Sequence, residues 1–551
     1  MSPRKLKSLL LFFLLLITFL AYRPVLHNGF TNWDDDRYLL ENIDIRSLAW
    51  PNIKAIFTTT VNKSYNPLTV LQFAIEYHFV KYNPFVYHLN NLLLHLSVTA
   101  LIFIFALRIG LSYLAAFLAA LLFGTHPMHV ESVAWVTERK DVLYAFFYML
   151  SLLSYWSYLE GKKGQYVLSL FWGLLSILSK PMALSLPLVL FICDWLKGRS
   201  FERKIFLDKI CYFVYIVPVV WMTYRFHARV PGGGNIVESF LTWVWSLTFY
   251  VKKFFFPAEF IPLYQLPRPI ALGHDSYVLS IILLILIIVI LIRYRKNKWL
   301  MIGFLFYFVS IFFLLRFDDL KDENIVADRF MYLPSLGFCL MLGVLLERIF
   351  VRLSKSRQQV MIVGLIIVYG FLAAKTFTQS KVWENSFSLW SYVVAKNPQI
   401  PTAILNLGDT YNKMGDYDKA IGEFNRALEL NDKFSLAYNN RGMAYGMKGY
   451  YDLALADFNK AIELDPQYVD AITNKGEAYR MKSQYDLAIE NFDRALSIDP
   501  RFIQAYYSRS LSFGAQKKWQ KALDDARKAE SFGLSVDPKY ILKLQESLGH
   551  E

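Results

Sequence analysis

Cysteine is close to absent from these 551 residues, and the three that occur, Cys193, Cys211 and Cys339, all lie inside apolar runs. That placement excludes a disulfide framework and offers no metal spacing, so all three read as small core residues. Charge is also scarce: 19% of residues are charged, against 55% hydrophobic and 17% aromatic, and the mean hydropathy is +0.30. A soluble domain of mixed polarity does not carry that balance, so this is a membrane protein. The net charge of +14 sits mostly in short basic clusters between apolar runs. No basic stripe interleaved with aromatics appears outside the membrane part, so no nucleic-acid partner is expected.

Apolar runs occur at about 8–22, 86–107, 111–125, 142–159, 165–179, 182–196, 207–224, 276–292, 299–315, 333–350 and 358–377, which predicts eleven spans. Several fall short of the ~20 residues a spanning helix needs and must extend into flanking aromatic and polar residues. The first has a basic start and an apolar middle but no small-x-small cleavage site after it, so it reads as an uncleaved anchor. Basic clusters fall at every second boundary: Arg4, Lys5 and Lys7; Arg108; Lys162 and Lys163; KGRSFERK at 197–204; RYRKNK at 293–298; and Arg348, Arg352, Lys355 and Arg357. The positive-inside rule makes that side cytoplasmic. The segment 240–257, FLTWVWSLTFYVKKFFFP, would break this parity as a span and is expected to lie along or dip into the outer interface.

The opposite side receives the loops 23–85, 126–141, 225–275 and 316–332. They hold three consecutive carboxylates, Asp34, Asp35 and Asp36, in FTNWDDDRYLL, and with Lys180 at the end of the fifth span they place Arg139, Lys140 and Arg329, cations where topology alone disfavours them. After residue 380 a 34-residue period sets in: Gly408, Gly442, Gly476, Ser510; Tyr411, Tyr445, Tyr479, Phe513; Ala420, Ala454, Ala488, Ala522. Small residues at those offsets let paired antiparallel helices pack closely, which is the tetratricopeptide pattern. The chain therefore divides into a polytopic membrane domain, 1–380, and an outer repeat domain, 381–551, of about four repeats after a weaker leading unit at 383–399.

The segments NGFTNWDDDRYLLEN, HPMHVESVAWVTERKDVLYAFFYMLSLLSY, SKPMALSLPLVLFICDW and ADRFMYLPSLG resemble the transmembrane-and-tetratricopeptide O-mannosyltransferases and their prokaryotic relatives, within the GT-C superfamily. The resemblance implies an all-α protein, a GT-C-like helical membrane domain followed by a tetratricopeptide solenoid. It also implies a polyprenyl-phosphate sugar donor, a protein or peptide acceptor held by the repeats, and a cell (inner) membrane location with the repeats periplasmic or extracellular. In the family an acidic residue of the first outer loop acts on the acceptor hydroxyl, which assigns catalysis to Asp34 or Asp35. A carboxylate suits that task, and mutual repulsion in the triplet favours a raised pKa. The plain alternative is that the three cap a short helix or keep the loop in water.

A phosphate leaving group needs cations, so Arg139 and Lys140, then Lys180 and Arg329, are expected to bind it. The alternatives are snorkelling to headgroups, or ion pairs such as Arg139 with Asp141 and Arg329 with Asp328. Asp36, His126, His129, Glu131, Asp141, Asp328 and Tyr332 are possible substrate contacts. HPMHVE lacks a third confirmed ligand, so no metal site is assigned; no cofactor is required, and a divalent cation is compatible with the chemistry but unsupported. Asn406, Asn440 and Asn474 recur at the repeat period and are expected to hydrogen-bond an acceptor backbone or to tie adjacent repeats. Two other readings compete: a non-enzymatic membrane scaffold presenting its solenoid groove, and a lipid-linked glycan flippase or polymerase. The first leaves the separate outer acids and cations unexplained; the second would place charges along the spans, which hold few acids besides Asp194 and Glu347 at cytoplasmic ends.

Overall fold

The computed structural model describes residues 2–200, 202–226, 235–315 and 325–549, with side chains of 223–226 left aside. Residues 227–234 and 316–324 of the two later loops expected on the outer side, and Phe201 in the basic cluster, lie outside the described residues. The chain forms two compact units, Met1–Leu389 and Trp390–Glu551, and the described residues contain helices and turns but no strand.

In the first unit each of the eleven apolar runs becomes a helix. Together with shorter elements they are α1 (Pro3–Tyr22), α2 (Trp50–Thr58), α3 (Pro67–Val80), α4 (Pro84–Arg108), α5 (Tyr113–Thr125), α6 (Val130–Ala134), α7 (Arg139–Leu159) and α8 (Gly164–Ser179). They continue as α9 (Leu186–Lys197), α10 (Arg203–Phe226), α11 (Ile236–Phe255), α12 (Asp275–Arg293), α13 (Lys298–Ile311), α14 (Ser335–Arg352) and α15 (Lys355–Val382). Local chemistry sets many of these boundaries. Asn83 precedes Pro84 and accepts from the Phe85 N–H, Ser112 accepts from the Ala115 N–H, and Asn235 accepts from the Glu238 N–H, each satisfying a donor of the first turn. Gly198, at φ +80°, ends α9 in a left-handed conformation open to glycine without steric cost.

Among the described residues six helical segments are long and apolar enough to cross a membrane: Pro3–His27, Pro84–Arg108, Val136–Leu159, Arg203–Met222, Asp275–Arg293 and Lys355–Val382. A bent pair, Tyr113–Thr125 with Pro127–Ala134 at 49°, makes a seventh if it is one span. This is a multi-pass membrane protein. The remaining predicted spans are the shorter or more charged helices α8, α9, α13 and α14. Close approaches join some of them: a Cβ at Gly337 would overlap the Gly303 carbonyl, and one at Gly343 would overlap the Ala115 carbonyl.

Two expectations change here, and the 240–257 segment gains its packing partners. Cys193 and Cys339 are buried, but Cys211 is exposed on the apolar outer side of α10. The 23–85 loop is a folded cap, whose core of Tyr38, Leu39, Ile45, Ile56, Val70, Phe73 and Ala74 is closed by Tyr87 of α4 and by Val136. Its hydrophobic residues had no single period to reveal them, because short helical pieces share one core. The 240–257 segment is the amphipathic α11, which buries Leu241, Val244, Leu247, Tyr250, Val251 and Phe254, and the Tyr307 hydroxyl of α13 donates to the Leu247 carbonyl at 2.5 Å.

The second unit begins within a single leading helix, α16 (Ser386–Lys396), followed by four helix pairs: α17 (Pro401–Lys413) with α18 (Tyr417–Leu430), α19 (Ser435–Met447) with α20 (Tyr451–Leu464), α21 (Val469–Met481) with α22 (Tyr485–Ile498), and α23 (Ile503–Ala515) with α24 (Trp519–Ser531). Helix α25 (Pro538–Gly549) closes the stack. The small residue of each first helix faces an aromatic of the second: Cβ atoms at Gly408, Gly442 and Gly476 would lie 2.6–2.8 Å from Phe424, Phe458 and Phe492. In the last pair Ser510 replaces glycine and Ala526 replaces phenylalanine, so side-chain volume moves across the contact. Ties also recur between repeats, Asp418 with Lys448, Asp452 with Lys482 and Asp486 with Gln516, each 30 residues apart.

Candidate functional site

At the end of the membrane unit that carries the cap, the turns around 127–140 and 328–332 bring together most of the charged residues singled out in the sequence. Glu138 is their centre. Its carboxylate meets Lys140 at 3.1 Å, Lys180 at 3.0 Å and Arg329 at 3.4 Å. Lys180 also bonds Asp141 at 2.6 Å, and Arg329 pairs with Glu131, whose second oxygen accepts the Arg329 backbone N–H at 3.0 Å. Three basic and three acidic side chains thus pair with one another in a buried network, as a site of low dielectric requires. Desolvation by burial opposes the charge on Arg329, and the neighbouring Glu131 and Glu138 more than offset it, holding the guanidinium firmly in its charged form.

Aromatic rings wall this network. Trp33 stacks on Trp135 at 4.6 Å between centroids, and Trp135 on Trp383 at 5.5 Å. The Arg329 guanidinium lies 5.6 Å from the Trp135 ring and 5.9 Å from Trp33, while the Lys140 ammonium lies 5.0 Å from the Tyr38 ring. Planar cations over ring faces gain electrostatic stabilisation without further hydrogen bonds.

The acidic triplet divides by environment. Asp35 is buried, and its two oxygens take four donors: the Thr31 N–H at 2.9 Å and hydroxyl at 3.1 Å on one, and the Thr137 N–H at 3.0 Å and its hydroxyl on the other. It clamps the cap onto the turn that carries Glu138. Burial pushes its carboxyl up to about 6, against the pull of those donors. Asp34 is half-buried, accepts from the Asn62 side-chain amide at 2.9 Å, and lies within electrostatic reach of Lys140 and Tyr38. Asp36 starts the short helical turn Asp36–Leu40, whose Glu41 N–H it accepts through its backbone carbonyl at 2.8 Å.

Arg139 does not join the others. It is fully buried beneath the cap, paired with Glu76, donating to Asn91 at 2.7 Å and to the Tyr87 carbonyl at 2.6 Å, with its plane 4.8 Å from the Phe73 ring. Its partner is neither a phosphate nor Asp141, the ion pair considered from sequence, but a carboxylate 63 positions away in the chain. Asp328 is likewise not the Arg329 partner: it accepts from the Tyr264 hydroxyl at 2.7 Å, and burial raises its carboxyl well above the ordinary range.

The histidines are structural. His126 Nε2 meets the Phe254 carbonyl at 3.1 Å and its Nδ1 accepts the Met128 N–H, while His129 joins the Phe123 carbonyl at 2.8 Å and Ser335 at 2.9 Å. Tyr332 bonds His95 at 2.7 Å. Both ring nitrogens of His126 and His129 are engaged inside the fold. In the repeats, Asn474 donates to Asn439 of the preceding repeat at 2.9 Å, the Asn440 side-chain oxygen accepts from Asn439, and its carbonyl accepts from Asn412. Two of the three periodic asparagines therefore serve ties within the stack; Asn406 is half-buried on the first helix of its repeat.

Sequence reasoning passed over Glu138, Glu76, Thr137 and Asn62. A signal existed for Glu138: cations gathered at one membrane face need counter-charge, and VTERKD supplies it within the same turn.

The tetratricopeptide repeat family matches residues 435–468 and 469–502, and a TPR repeat family matches 408–449, in register with α17–α22. The match with known enzymes runs through the membrane unit as well. The chain is homologous to protein O-mannosyl-transferases. It is 25% identical over 498 residues to Protein O-mannosyl-transferase TMTC1 of Homo sapiens, covering 76% of this chain and 55% of that protein. It is 26% identical over 406 residues to Protein O-mannosyl-transferase F38B6.6 of Caenorhabditis elegans, covering 69% and 56%. The chain thus spans little more than half the length of the curated relatives it matches. Among solved structures, that of MamA is 27% identical, covers 29% of this chain and 92% of its own, and has a TM-score of 0.25.

Proposed function

We propose that this protein is a membrane glycosyltransferase of GT-C type that moves mannose or another hexose from a polyprenyl-phosphate donor to a serine or threonine hydroxyl of a protein acceptor. The observation that carries the reading is Asp34, a carboxylate outside the clamp that Asp35 makes, held on the cap by Asn62 and within electrostatic reach of Lys140. In the reaction the acceptor oxygen bonds to the anomeric carbon, the bond from that carbon to the phosphate oxygen breaks, and the acceptor proton passes to Asp34. The donor phosphate leaves with the electron pair, and a cation at Lys140 or Arg329 stabilises it. Asp35 positions Asp34 by fixing the cap to the Glu138 turn, and Arg139 supports the cap from beneath.

The same reading puts the site on the outer face of the cell membrane with the repeats on that side, periplasmic or extracellular, and gives the repeats the task of holding the acceptor polypeptide. It keeps eleven spans, with α11 at the outer interface. Homology to named protein O-mannosyl-transferases supports a glycosyltransferase acting on proteins, and the concave face of a helix-pair stack supports a peptide ligand. Incubating the purified protein with a panel of polyprenyl-phosphate sugars and unfolded protein acceptors tests the proposal. Release of polyprenyl phosphate coupled to sugar on the acceptor is expected with at least one donor; no release with any of them refutes it.

A further inference from the structure

A second polar pocket lies outside the charged network. Arg23, Pro24, His27 and Asn28, just after α1, and Phe377, Lys381 and Glu384, at the end of α15, line a cavity of about 330 Å³. Arg23, His27 and Lys381 are exposed in it, the Lys381 ammonium lies 5.0 Å from the Phe377 ring, and Glu384 is the single carboxylate on its rim. Two fixed cations and a histidine against one acid leave it positive.

Along the same two helices runs an apolar cleft of about 430 Å³, walled by Ile17 of α1, by Leu114 to Leu121 of α5, and by Ile362, Ile366, Tyr369, Gly370 and Ala373 of α15. The two cavities share one face of α15. Positions 362, 366, 370, 373, 377 and 381 advance by three or four residues, so they form a continuous stripe along the helix, and Glu384 follows just past its end. Ala373 and Phe377 are one turn apart, about 6 Å along the axis. On α1, Ile17 precedes Arg23 by a turn and a half. An apolar groove opening at its end into a cationic pocket is complementary to a molecule with an anionic head and a hydrocarbon tail, and both helices are among those able to cross the bilayer.

We propose that this composite site binds an anionic phospholipid, its phosphate between Arg23 and Lys381 and one acyl chain in the cleft of α1, α5 and α15. The occupant would bear on the cap directly. The seam beside the pocket is where the end of α15 and the turn after it hold the segment leading to the acidic triplet: the Asn28 amide donates to the Ser380 carbonyl at 3.1 Å, the Gly29 N–H to the Glu384 carbonyl at 2.7 Å, and the Asn32 N–H to the Ser386 hydroxyl, at the start of α16, at 2.9 Å. A lipid bridging the ends of α1 and α15 stabilises that seam. The inference stands on the membrane placement of the two helices and not on the transfer reaction.

The test uses the full-length protein in mild detergent, with phosphatidylglycerol, phosphatidylcholine, polyprenyl phosphate and glycerol phosphate as probes, read by retained lipid in native mass spectrometry and by thermal shift. Phosphatidylglycerol is expected to be retained and to raise the melting temperature, and phosphatidylcholine and glycerol phosphate are expected to do neither. Arg23→Ala with Lys381→Ala is expected to weaken phosphatidylglycerol binding roughly thirtyfold, the loss of two cations from an anionic-lipid contact. Arg23→Lys with Lys381→Arg keeps it, and Ala373→Trp, which fills the cleft and leaves the cations, abolishes it. Equal retention by wild type and the double alanine variant overturns the proposal. So does equal binding of the two phospholipids, equal binding of glycerol phosphate, or preference for polyprenyl phosphate over phosphatidylglycerol.

Discussion

Arg139 offers the sharpest test, because sequence reasoning placed it on a phosphate whereas the structure places it in a buried ion pair with Glu76, with no exposed surface. Arg139→Met keeps the apolar length of the side chain and removes the charge, leaving the Glu76 carboxylate buried without its cation, the Asn91 oxygen without its donor and the Tyr87 carbonyl without its own. Removing one partner of a buried pair costs about 3–5 kcal/mol, because the remaining charge stays desolvated. At about 2 °C per kcal/mol, the scale for larger domains, the melting temperature should fall by roughly 6–10 °C. Glu76→Met should do similar damage. The double variant should recover much of the loss, with a coupling of about 1–3 kcal/mol, because two apolar residues leave no orphaned charge. Thermal unfolding in detergent measures stability, and binding of a polyprenyl-phosphate sugar measures donor affinity. An Arg139→Met protein that melts like wild type but has lost donor affinity would refute the reasoning and return Arg139 to the phosphate.

Asp34→Asn should lower turnover about 10²–10⁴-fold with an unchanged melting temperature, whereas Asp35→Ala should lower activity and stability together, since it strands two buried backbone N–H groups at about 1–3 kcal/mol each; the reverse pattern would exchange their roles. Because Asp35 holds its proton up to about pH 6 when folded, against an ordinary value of 3.8, the folded state binds more protons between those limits. Stability should therefore fall as pH rises through that window, by about 3 kcal/mol at most, and stay level above it. Melting curves of wild type and Asp35→Ala from pH 4 to 7 should diverge accordingly, and parallel curves would contradict the shift. In the repeats, Gly415 and Gly449 take φ near +80° without steric cost at a turn where Ser483 and Lys517 are strained at φ +60° and +61°, so Ser483→Gly should stabilise the solenoid by about 0.5–1 kcal/mol in denaturant unfolding. Deleting 401–551 should spare transfer to small acceptors and collapse transfer to protein acceptors; full protein glycosylation by the truncated form would deny the repeats that role.

The sequence by itself determined what periodicity and composition encode. Eleven apolar runs became helices because burying or embedding such a run leaves the backbone no partner but itself. The 34-residue period specified the helix pairs down to the contact of each glycine with its phenylalanine, because a repeat meets the same neighbours at the same offsets. The charged residues of the turns at 126–141 and 328–332 were visible too, as cations and acids outside the basic clusters that orient the spans. What the sequence left open was pairing. Arg139 and Lys140 are adjacent in the chain and point into different environments, one to Glu76 under the cap and one to Glu138, because successive helical residues diverge by about 100°. Asp34 and Asp35 differ for the same kind of reason: Asp35 meets Thr137, 102 positions away, and is fixed in a clamp, while Asp34 meets Asn62 and lies toward Lys140. Which charge meets which is a matter of long-range contact and burial, and the desolvation that decides the cost of each arises only when the helices have packed.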